Sequence, residues 1–488
     1  MNGLMGVEVG VRKVTRVLSG VAPVAIMARP HPCPHGRCIY CPGGPEFSTP
    51  QSYVGEEPAL MRAKRINYDP YLQVHTRLRQ YRDHIGWYPS KVELVVMGGT
   101  FLAYPRDYQV WFVTEAFRAM NDFPNLRDPV ATTLEEEHMR NEGAGVRCVG
   151  LTLETRPDWG LESHADLMLA LGATKVELGV QSIYDEVLTR VKRGHDVSHV
   201  IKSTRILKDA GFKVAYHIMP GLPGSDVSRD LEMVKTIFEN PDFRPDYLKI
   251  YPTLVMEGTE LYEMWKRGDY RALSTEDAVE LISEMMRYIP KYVRVQRIQR
   301  DVPAPLIIDG PRRGDLRELV EEACVRKGIK INEIRWREVG RASLKRPTLI
   351  RHEDLELTRT TYQASEGIEE FLALEDHATE AVAGILRLRI PSQYAHRPEV
   401  SSGRKALIRE LHVYGMPVAP GTQPKSYLEW QHRGIGKKLM AEAERVAFEE
   451  YDVEEVLVLS GVGVRGYYRA LGYTRHPSSP YMCKNLRG

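Results

Sequence analysis

The chain has 488 residues, with 67 Lys or Arg against 65 Asp or Glu, so its formal net charge is only +2. Its length suggests about three domains or one large and one small domain, and 43% hydrophobic with 27% charged residues excludes a disordered chain. Because no membrane span or signal-peptide core is visible and six cysteines are too few for a disulfide scaffold, we expect a cytoplasmic protein. Taken alone, the net charge argues against a polyanion as partner.

Short apolar segments alternate with amphipathic stretches over the first part of the chain. Strands are predicted at 92–97, 147–153, 175–180, 213–219 and 247–251, with helices between them at 164–171, 198–210 and 229–238. This alternation indicates a parallel sheet covered on both faces, either open or barrel-like.

Several of these predicted strands end in glycine or polar clusters, at Gly98-Gly99-Thr100, Glu154-Thr155-Arg156, Gln181-Ser182 and 220–224. Any one of them could be a mere tight turn. Because ligands bind at the C-terminal strand ends of parallel sheets, four clusters on successive strands favour one shared site.

The pattern changes after about residue 303, where prolines punctuate an Arg-rich stretch. Antiparallel strands are then predicted at 371–374, 382–390 and 406–414, followed by a helix at 434–450, a strand at 455–460 and a short helix at 467–471. We predict a basic N-terminal segment (1–15), a first α/β domain (16–303), a basic connector (304–349) and a second α/β domain (350–488).

Three cysteines lie close together in the segment HPCPHGRCIYCPGG: Cys33, Cys38 and Cys41. Thiolates are the usual ligands of iron–sulfur clusters, and three of them leave one iron open to another ligand. Zinc is the alternative that spacing leaves open, with His31 or His35 as a fourth ligand. The other cysteines are predicted to be buried free thiols: Cys148, Cys324 and Cys483.

A glycine-rich turn, QHRGIG at 431–436, opens the predicted C-terminal helix. Backbone N–H groups at a helix N-terminus suit a pyrophosphate, although such a turn can also be a simple helix start. Tyr468 follows in the segment GYYRALGY. Its phenol would suit a leaving thiolate, and the alternative is a half-buried helix aromatic.

These motifs, together with KVELVVMGGTF, LETRPD, VELGVQS, MPGLPG, RELHVYG and SGVGVRGYYRALGY, resemble the family of the catalytic subunit of Elongator in its stand-alone prokaryotic form. The resemblance runs from about residue 15 to residue 486. It implies an α/β fold in which a radical S-adenosylmethionine (SAM) partial (β/α) barrel precedes a GNAT-type α/β acetyltransferase domain. The C-x4-C-x2-C spacing departs from the C-x3-C-x2-C that is usual in radical SAM enzymes.

The implied activity is the synthesis of 5-carboxymethyluridine at the wobble position of tRNA, with SAM and acetyl-CoA as co-substrates. A 5′-deoxyadenosyl radical would abstract hydrogen from the acetyl methyl group, the acetyl radical would add to carbon 5 of uridine, and the thioester would be hydrolysed. The implied partners are the anticodon stem-loop of tRNA and an external electron donor, and a homodimer remains one option.

The resemblance also implies the site residues. A [4Fe–4S] cluster would be held by Cys33, Cys38 and Cys41. SAM would be contacted by Gly98, Gly99, Glu154, Arg156 and Gln181. Acetyl-CoA would be contacted by Glu410, Leu411, His412, Val413, Ile435, Gly436 and Lys437. Lys91, from the first domain, and Tyr468 are the implied catalytic residues that also contact acetyl-CoA, although pattern alone would make Lys91 an ordinary solvated lysine.

One departure concerns metal content. Family members often carry closely spaced cysteines that help to bind a structural zinc between the domains, whereas residues 330–340 here contain none. We therefore predict no structural zinc, with packing or ion pairs at the domain interface. Two alternative functions stay open from sequence: a protein lysine acetyltransferase with a structural cluster, and an RNA-binding scaffold.

Counting charge by segment reverses the inference from the net charge that the partner is not a polyanion. Residues 9–45 hold five basic and no acidic residues, and residues 291–351 hold sixteen basic and eight acidic residues, so the remainder sums to 2 − 5 − 8 = −11. Two basic segments on an acidic chain are typical of nucleic-acid binding, although either could be a solvated connector.

Overall fold

The computed structural model describes residues 20–345, 350–417, 429–431, 433–476 and 478–487. The predicted N-terminal segment 1–15 and His432 of the glycine turn lie outside the described residues. Across the described ranges, no helix has both the length and the apolar character needed to cross a membrane. These ranges form two seven-stranded sheets and one two-stranded sheet.

The first sheet is parallel and its strand order follows the chain. Its strands are β1 (Ala22–Met27), β2 (Lys91–Met97), β3 (Arg147–Thr155), β4 (Lys175–Gln181), β5 (Lys213–Ile218), β6 (Tyr247–Ile250) and β7 (Arg294–Ile298). All five strands predicted in this part of the chain are confirmed to within two residues, whereas β1 and β7 were not predicted.

Helices connect these parallel strands, and a further group of helices follows β7. They are α1 (Pro58–Arg65), α2 (Pro70–Ile85), α3 (Arg106–Asp122), α4 (Leu134–Glu142), α5 (Glu162–Ala170), α6 (Asp185–Arg190), α7 (Val197–Asp209), α8 (Val227–Glu239), α9 (Glu260–Lys266), α10 (Thr275–Met285), α11 (Leu316–Arg326), α12 (Ile334–Arg337) and α13 (Val339–Lys345). Local sequence fixes several starts: Asp196 and Asp226 accept backbone N–H bonds at the starts of α7 and α8.

The two faces of the first sheet differ in polarity. Along β2, the side chains of Val92, Leu94 and Val96 are fully buried under the helices, whereas Lys91 and Glu93 on the other face line a cleft. Because side chains alternate along a strand, a β-strand can present an apolar outer face and a charged inner face at once. The sheet is therefore a half-barrel with a polar interior.

The second sheet is mixed, in the order β15-β16-β14-β11-β10-β9-β8. The remaining elements are β8 (Leu355–Ala364), β9 (Gly367–Asp376), β10 (Val382–Ile390), α14 (Pro398–Ser401), β11 (Lys405–Val413), β12 (Met416–Pro417), β13 (Glu429–Gln431), α15 (Ile435–Tyr451), β14 (Glu455–Val458), α16 (Arg465–Arg469), β15 (Thr474–Arg475) and β16 (Met482–Asn485). β12 and β13 form the separate two-stranded sheet. The predicted antiparallel strands, long helix and following strand are confirmed, while β8 and β16 were not predicted.

The C-terminal part of β11 is not paired with β14, its parallel neighbour in the sheet. β11 pairs with β14 only through residues 405–408, while its residues 410–413 line the cleft between the two sheets. The second sheet thus presents the end of one strand, and the adjacent start of α15, to the interior of the half-barrel.

Buried ion pairs join the two sheets. Arg409 on β11 donates to Asp246, just before β6, at 2.8 Å from two of its nitrogens and to Glu369 on β9 at 2.7 Å. Arg389 likewise pairs with Asp209 across the interface at 2.7 Å. These side chains are fully or almost fully buried. Ion pairs therefore cross the interface as expected, and the predicted lack of zinc stays a prediction.

Candidate active-site cleft

One cleft of about 2250 Å³ lies between the half-barrel and the second sheet. Its walls include Cys33 and Thr100 from the first sheet's loops, and His412, Gly436 and Tyr468 from the second. The structure therefore brings the cysteine segment and the glycine turn, which are about 400 residues apart in sequence, to one cavity.

The cysteine loop follows β1 at the C-terminal edge of the parallel sheet. Cys38 and Cys41 are buried and Cys33 is partly exposed. Gln51 donates its side-chain N–H to Cys41 Sγ at 3.3 Å, and Arg193 donates to Cys38 Sγ at 3.7 Å. A half-buried arginine beside these sulfurs stabilises negative charge on them, as thiolate ligands require.

Burial raises the pKa of Cys33 and of Cys38, and Arg193 opposes that rise at both thiols. Deprotonation of the thiols is therefore tied to the binding of a cation or cluster.

The spacing of the sulfurs bears on the choice between zinc and a cluster. In the part of the chain that the structure describes, Glu154, Glu177 and His217 are the only group of three His, Cys, Asp or Glu ligand atoms within 4.8 Å of one another. A zinc ion with Zn–S bonds of about 2.3 Å would hold its ligands closer together than that. Of the three thiols, Cys33 lines the cleft, and the three sulfurs do not all lie within 4.8 Å of one another, a wider spacing than a single zinc holds.

The glycines after β2 form the wall next to the cysteines. Gly98 and Gly99 have φ of 131° and 92°, which strongly favours glycine. A Cβ on Gly99 would lie 4.0 Å from Cys33 Sγ, and Thr100 Oγ1 lies 3.9 Å from the same sulfur. Gly99 thus lies beside Cys33, and its predicted contact with SAM stays a prediction. A Cβ on Gly98 would point instead toward Ala28, behind this wall.

Buried polar atoms without partners surround this end of the cleft. They include Tyr40 Oη, one terminal nitrogen of Arg156 and Gln181 Oε1, none of which has a hydrogen-bond partner in the described residues. Because buried polar groups are normally paired, these atoms indicate a polar ligand here. The residues present therefore fit a cluster with a polar co-substrate.

Glu154 lies deeper in the half-barrel, beside Glu177 and His217. Burial raises the pKa of Glu154 to about 7, with Lys249 opposing and Glu177 reinforcing the rise. The ammonium group of Lys249 contacts Glu177 and lies 3.7 Å from Glu154. A lysine already supplies the cation among these carboxylates, so we assign no metal to them.

The glycine turn forms the opposite end of the cleft. Gly434 is the N-cap of α15 with φ of 85°, and a Cβ on Gly436 would lie 2.7 Å from Tyr467 Oη. The cleft at this end is lined by all the residues that the sequence assigned to acetyl-CoA: Lys91, Glu410, Leu411, His412, Val413, Ile435, Gly436, Lys437 and Tyr468.

The neighbouring tyrosines differ in exposure. Tyr468 is 6% exposed and Tyr467 is 36% exposed, and both line the cleft. Burial raises the pKa of both phenols, to about 12 for Tyr467. The sequence singled out Tyr468 and missed Tyr467, because only the folded position of α15 shows which phenol touches the glycine turn.

Lys91 reaches across the domain interface. Its Nζ donates to Oε1 of Gln431, just before the turn, at 2.7 Å. Burial, and secondarily Arg147, lowers the pKa of Lys91 to about 8.

His412 stacks on Tyr414 with ring centroids 4.4 Å apart, and its Nε2 has no partner in the described residues. Burial lowers the pKa of His412 to about 4, so this imidazole is neutral near pH 7. Lys91 and His412, two of the basic groups at this end of the cleft, therefore both have lowered pKa values.

Residues missed by sequence reasoning include Arg193 and Tyr247. Tyr247 begins β6 and donates its phenol to Glu410, which also accepts from Arg387 at 2.7 Å. An aromatic residue at the start of a strand has no sequence signal that separates it from ordinary core.

The basic segment 291–351 lines the cleft. Its arginines there are Arg294, Arg297, Arg300, Arg317, Arg326, Arg335 and Arg341. Arg294 pairs with Glu338, and Arg317 lies 3.5 Å from Glu321, so part of this charge is neutralised inside the protein. Of the first basic segment, residues 9–19 lie outside the described residues.

A parallel half-barrel with three cysteines at its C-terminal edge defines the radical SAM class of enzymes. The family model of the Radical SAM superfamily matches residues 31–237, and that of the Radical_SAM C-terminal domain matches residues 245–326. The chain is 49% identical over 478 residues to the tRNA uridine(34) acetyltransferase of Methanocaldococcus jannaschii, covering 97% of this chain and 86% of that protein. It is 43% identical over 484 residues to human Elongator complex protein 3, with 97% and 86% covered.

The chain therefore belongs to the Elongator complex protein 3 family. The solved structure of archaeal Methanocaldococcus infernus Elp3 with an N-terminal deletion superposes with a TM-score of 0.83 at 45% identity, covering 96% of this chain and 99% of that one. The family and the fold class predicted from sequence are thus confirmed.

Proposed function

We propose that this enzyme uses SAM and acetyl-CoA to form 5-carboxymethyluridine at the wobble position of tRNA. The observation that carries the proposal is the single cleft in which the cysteine loop and the glycine turn face each other. The relatives named for uridine 34 of tRNA support the substrate. Two reactive sites in one cavity suit a reaction that joins an acetyl group to a base.

At the cysteine end, Cys33, Cys38 and Cys41 would hold a [4Fe–4S] cluster, which when bound supplies the one-electron reduction of SAM. An external donor would provide that electron. Arg193 would balance the charge of the thiolates, and the unpartnered atoms of Arg156 and Gln181 would bind SAM. Around them, the buried walls exclude water from reactive intermediates.

At the other end, the N–H groups at the start of α15 would bind the pyrophosphate of acetyl-CoA. Lys91 would add a positive charge from the half-barrel side. The neutral His412 would accept a proton from the water that hydrolyses the thioester, and a phenol of Tyr467 or Tyr468 would protonate the leaving thiolate. These roles require only protons and hydrogen bonds that the observed side chains can supply.

The arginines of residues 291–351 would bind the phosphates of an anticodon loop whose base enters the cleft. Enzymes that react on a base take it out of the stack, and single-stranded loops are the part of RNA that proteins read most readily. The large cleft volume is consistent with a nucleotide and two co-substrates together.

The test is anaerobic reconstitution with iron, sulfide, SAM, acetyl-CoA, a reductant and tRNA, followed by mass spectrometry of the nucleosides. We expect 5-carboxymethyluridine only when all components are present. Failure of the wild-type enzyme to form it, or acetyl transfer to protein lysines that needs neither SAM nor tRNA, would reject the proposal.

A further inference from the structure

A ladder of aromatic rings leads from the cysteine loop to the surface. His31 stacks on Tyr104 with centroids 4.4 Å apart, Tyr104 stacks on Tyr108 at 5.2 Å, and Tyr108 contacts Trp111 at 5.6 Å. His31 lies two residues before Cys33, whereas the Trp111 side chain is 45% exposed. These four residues, called the aromatic ladder below, connect the rim of the cleft with solvent.

The aromatic ladder is held in place by the backbone around Arg29. Tyr104 donates its phenol to the carbonyl of Arg29 at 2.5 Å, and the N–H of Arg29 donates to the Tyr108 oxygen at 3.1 Å. Tyr108 and Trp111 are three residues apart on α3, so they share one face of the helix. The rings are therefore ordered before any ligand arrives, which reduces the entropic cost of binding.

Arg29 supplies an exposed cation on the aromatic ladder. Its guanidinium carbon lies 4.7 Å from the centroid of Tyr108, and no carboxylate in the described residues lies within 4.0 Å of its guanidinium nitrogens. The pair Arg205–Tyr394 elsewhere has the same 4.7 Å distance, but there the arginine also pairs with Glu366 at 3.3 Å. Of these two cation–ring pairs, the one beside the cysteines keeps its charge available for an anion.

Exposed aromatic faces combined with an unneutralised arginine are how proteins bind single-stranded nucleic acid: bases stack on the rings and phosphates pair with the cation. We propose that Trp111 and Tyr108 stack an unpaired anticodon-loop nucleotide next to the one in the cleft, and that Arg29 binds its phosphate. This inference rests on the proposed function, since it specifies where the flanking nucleotide lies. Nucleotides that neighbour a base held in the cleft must leave the cleft, and the aromatic ladder begins at His31, two residues from Cys33, which lines it.

The test measures the affinity of the wild-type enzyme and variants for a fluorescently labelled anticodon stem-loop RNA over a series of salt concentrations. Trp111→Ala should weaken binding roughly five- to hundredfold, the range for losing one base–aromatic stack, and Trp111→Phe should retain most of the affinity. Arg29→Gln should reduce the slope of log K against log salt by about 1. The matched control, Tyr394→Ala, removes an equally exposed ring beside an arginine and should change neither quantity.

Iron content and thermal unfolding of each variant report whether the fold and the cysteine site are intact. If the wild type binds and modifies tRNA while Trp111→Ala binds RNA equally well, the inference is wrong although the proposed function stands. If the wild type itself neither binds nor modifies tRNA, the proposed function fails. If Trp111→Ala loses activity only with a protein electron donor and not with dithionite, at unchanged RNA affinity, the surface binds the donor and our inference is wrong.

Discussion

The two ends of the cleft present different kinds of chemical groups to their ligands. At the cysteine end these groups are side chains: three thiols, Arg193 beside Cys38, and unpartnered atoms of Arg156 and Gln181. At the glycine-turn end they are mainly backbone N–H groups at the start of α15, with side chains such as Tyr467 packed against them. The cysteine end should therefore lose its function when a side chain is removed, and the glycine-turn end should lose ligand binding when a side chain is added.

The largest expected effect is at the cysteine end. Cys38→Ala should abolish formation of 5-carboxymethyluridine because it removes one of three cluster ligands, while acetyl-CoA binding by the other end stays intact. Nucleoside mass spectrometry and acetyl-CoA titration measure the two quantities. Cys483→Ala, at a half-buried thiol on β16, is the control and should keep both. Product at wild-type levels from Cys38→Ala would contradict the assignment of the cluster.

The stability of the interface between the half-barrel and the second sheet should depend strongly on Arg409. Arg409→Ala leaves Asp246 and Glu369 buried without that partner and should lower the free energy of unfolding by roughly 3–5 kcal/mol. Urea unfolding measures the loss. Arg404→Ala removes an exposed arginine just before β11 that pairs with Asp452 and, at 2.6 Å, with Glu454, and should cost at most about 1 kcal/mol. An equal decrease in the free energy of unfolding of the two variants would contradict the importance of burial at this interface.

At the glycine-turn end, Gly436→Ala should weaken acetyl-CoA binding about tenfold, or about 1.4 kcal/mol. The new Cβ would lie 2.7 Å from Tyr467 Oη, so the ring or the turn must move. Because Tyr467→Phe removes that oxygen, the double variant should bind better than the sum of the single effects predicts, as calorimetry of the four proteins would show.

Gly466→Ala is the matched control for this substitution, since nothing lies within 4 Å of its added Cβ. It should bind acetyl-CoA normally. Additive effects in the double-mutant cycle would mean that Tyr467 does not fix the shape of the turn.

The smallest expected effect concerns Lys91 and pH. With a pKa of about 8 in the free enzyme, Lys91 is charged below pH 8 and loses its charge as the pH rises through 8. If that charge binds acetyl-CoA, kcat/KM for acetyl-CoA should fall up to about fivefold from pH 8 to pH 9. Lys91→Arg keeps the charge and should make this part of the profile flat. A wild-type profile that is equally flat would exclude a role for the charge.

Sequence patterns predicted the elements whose apolar and polar residues separate cleanly, such as β2 and α15. They failed at β7, where Arg294 and Arg297 resemble a solvated connector. In the structure these arginines face a polar cleft, so charged side chains occupy the inner face of a strand in the half-barrel. A prediction from hydrophobicity assigns charged residues to the solvent-exposed surface, and inside a half-barrel with a polar interior that assignment is wrong.

The candidate site shows the same division. The motifs identified both ends of the cleft, because cysteines and glycines have chemical or conformational reasons to occur together. They could not identify Arg193, Tyr467 or the aromatic ladder, since each of these depends on contacts between segments far apart in the chain. Residues 410–413 were assigned to acetyl-CoA through the family resemblance, but the physical reason that they reach the cleft, which is that β11 pairs with β14 only through residue 408, is visible only in the structure.

Asp246 helps to hold the second sheet at a fixed position on the half-barrel. It is fully buried and accepts hydrogen bonds from Arg409, from Lys208 at 3.4 Å and from the backbone of Val214 at 2.9 Å. Moving the second sheet away from the half-barrel would separate Asp246 from Arg409 and leave each charge without that partner, at a cost of several kcal/mol. The distance between the two ends of the cleft is therefore fixed and does not change by a hinge motion. A group that moves from one end to the other must be attached to a flexible ligand long enough to span that distance.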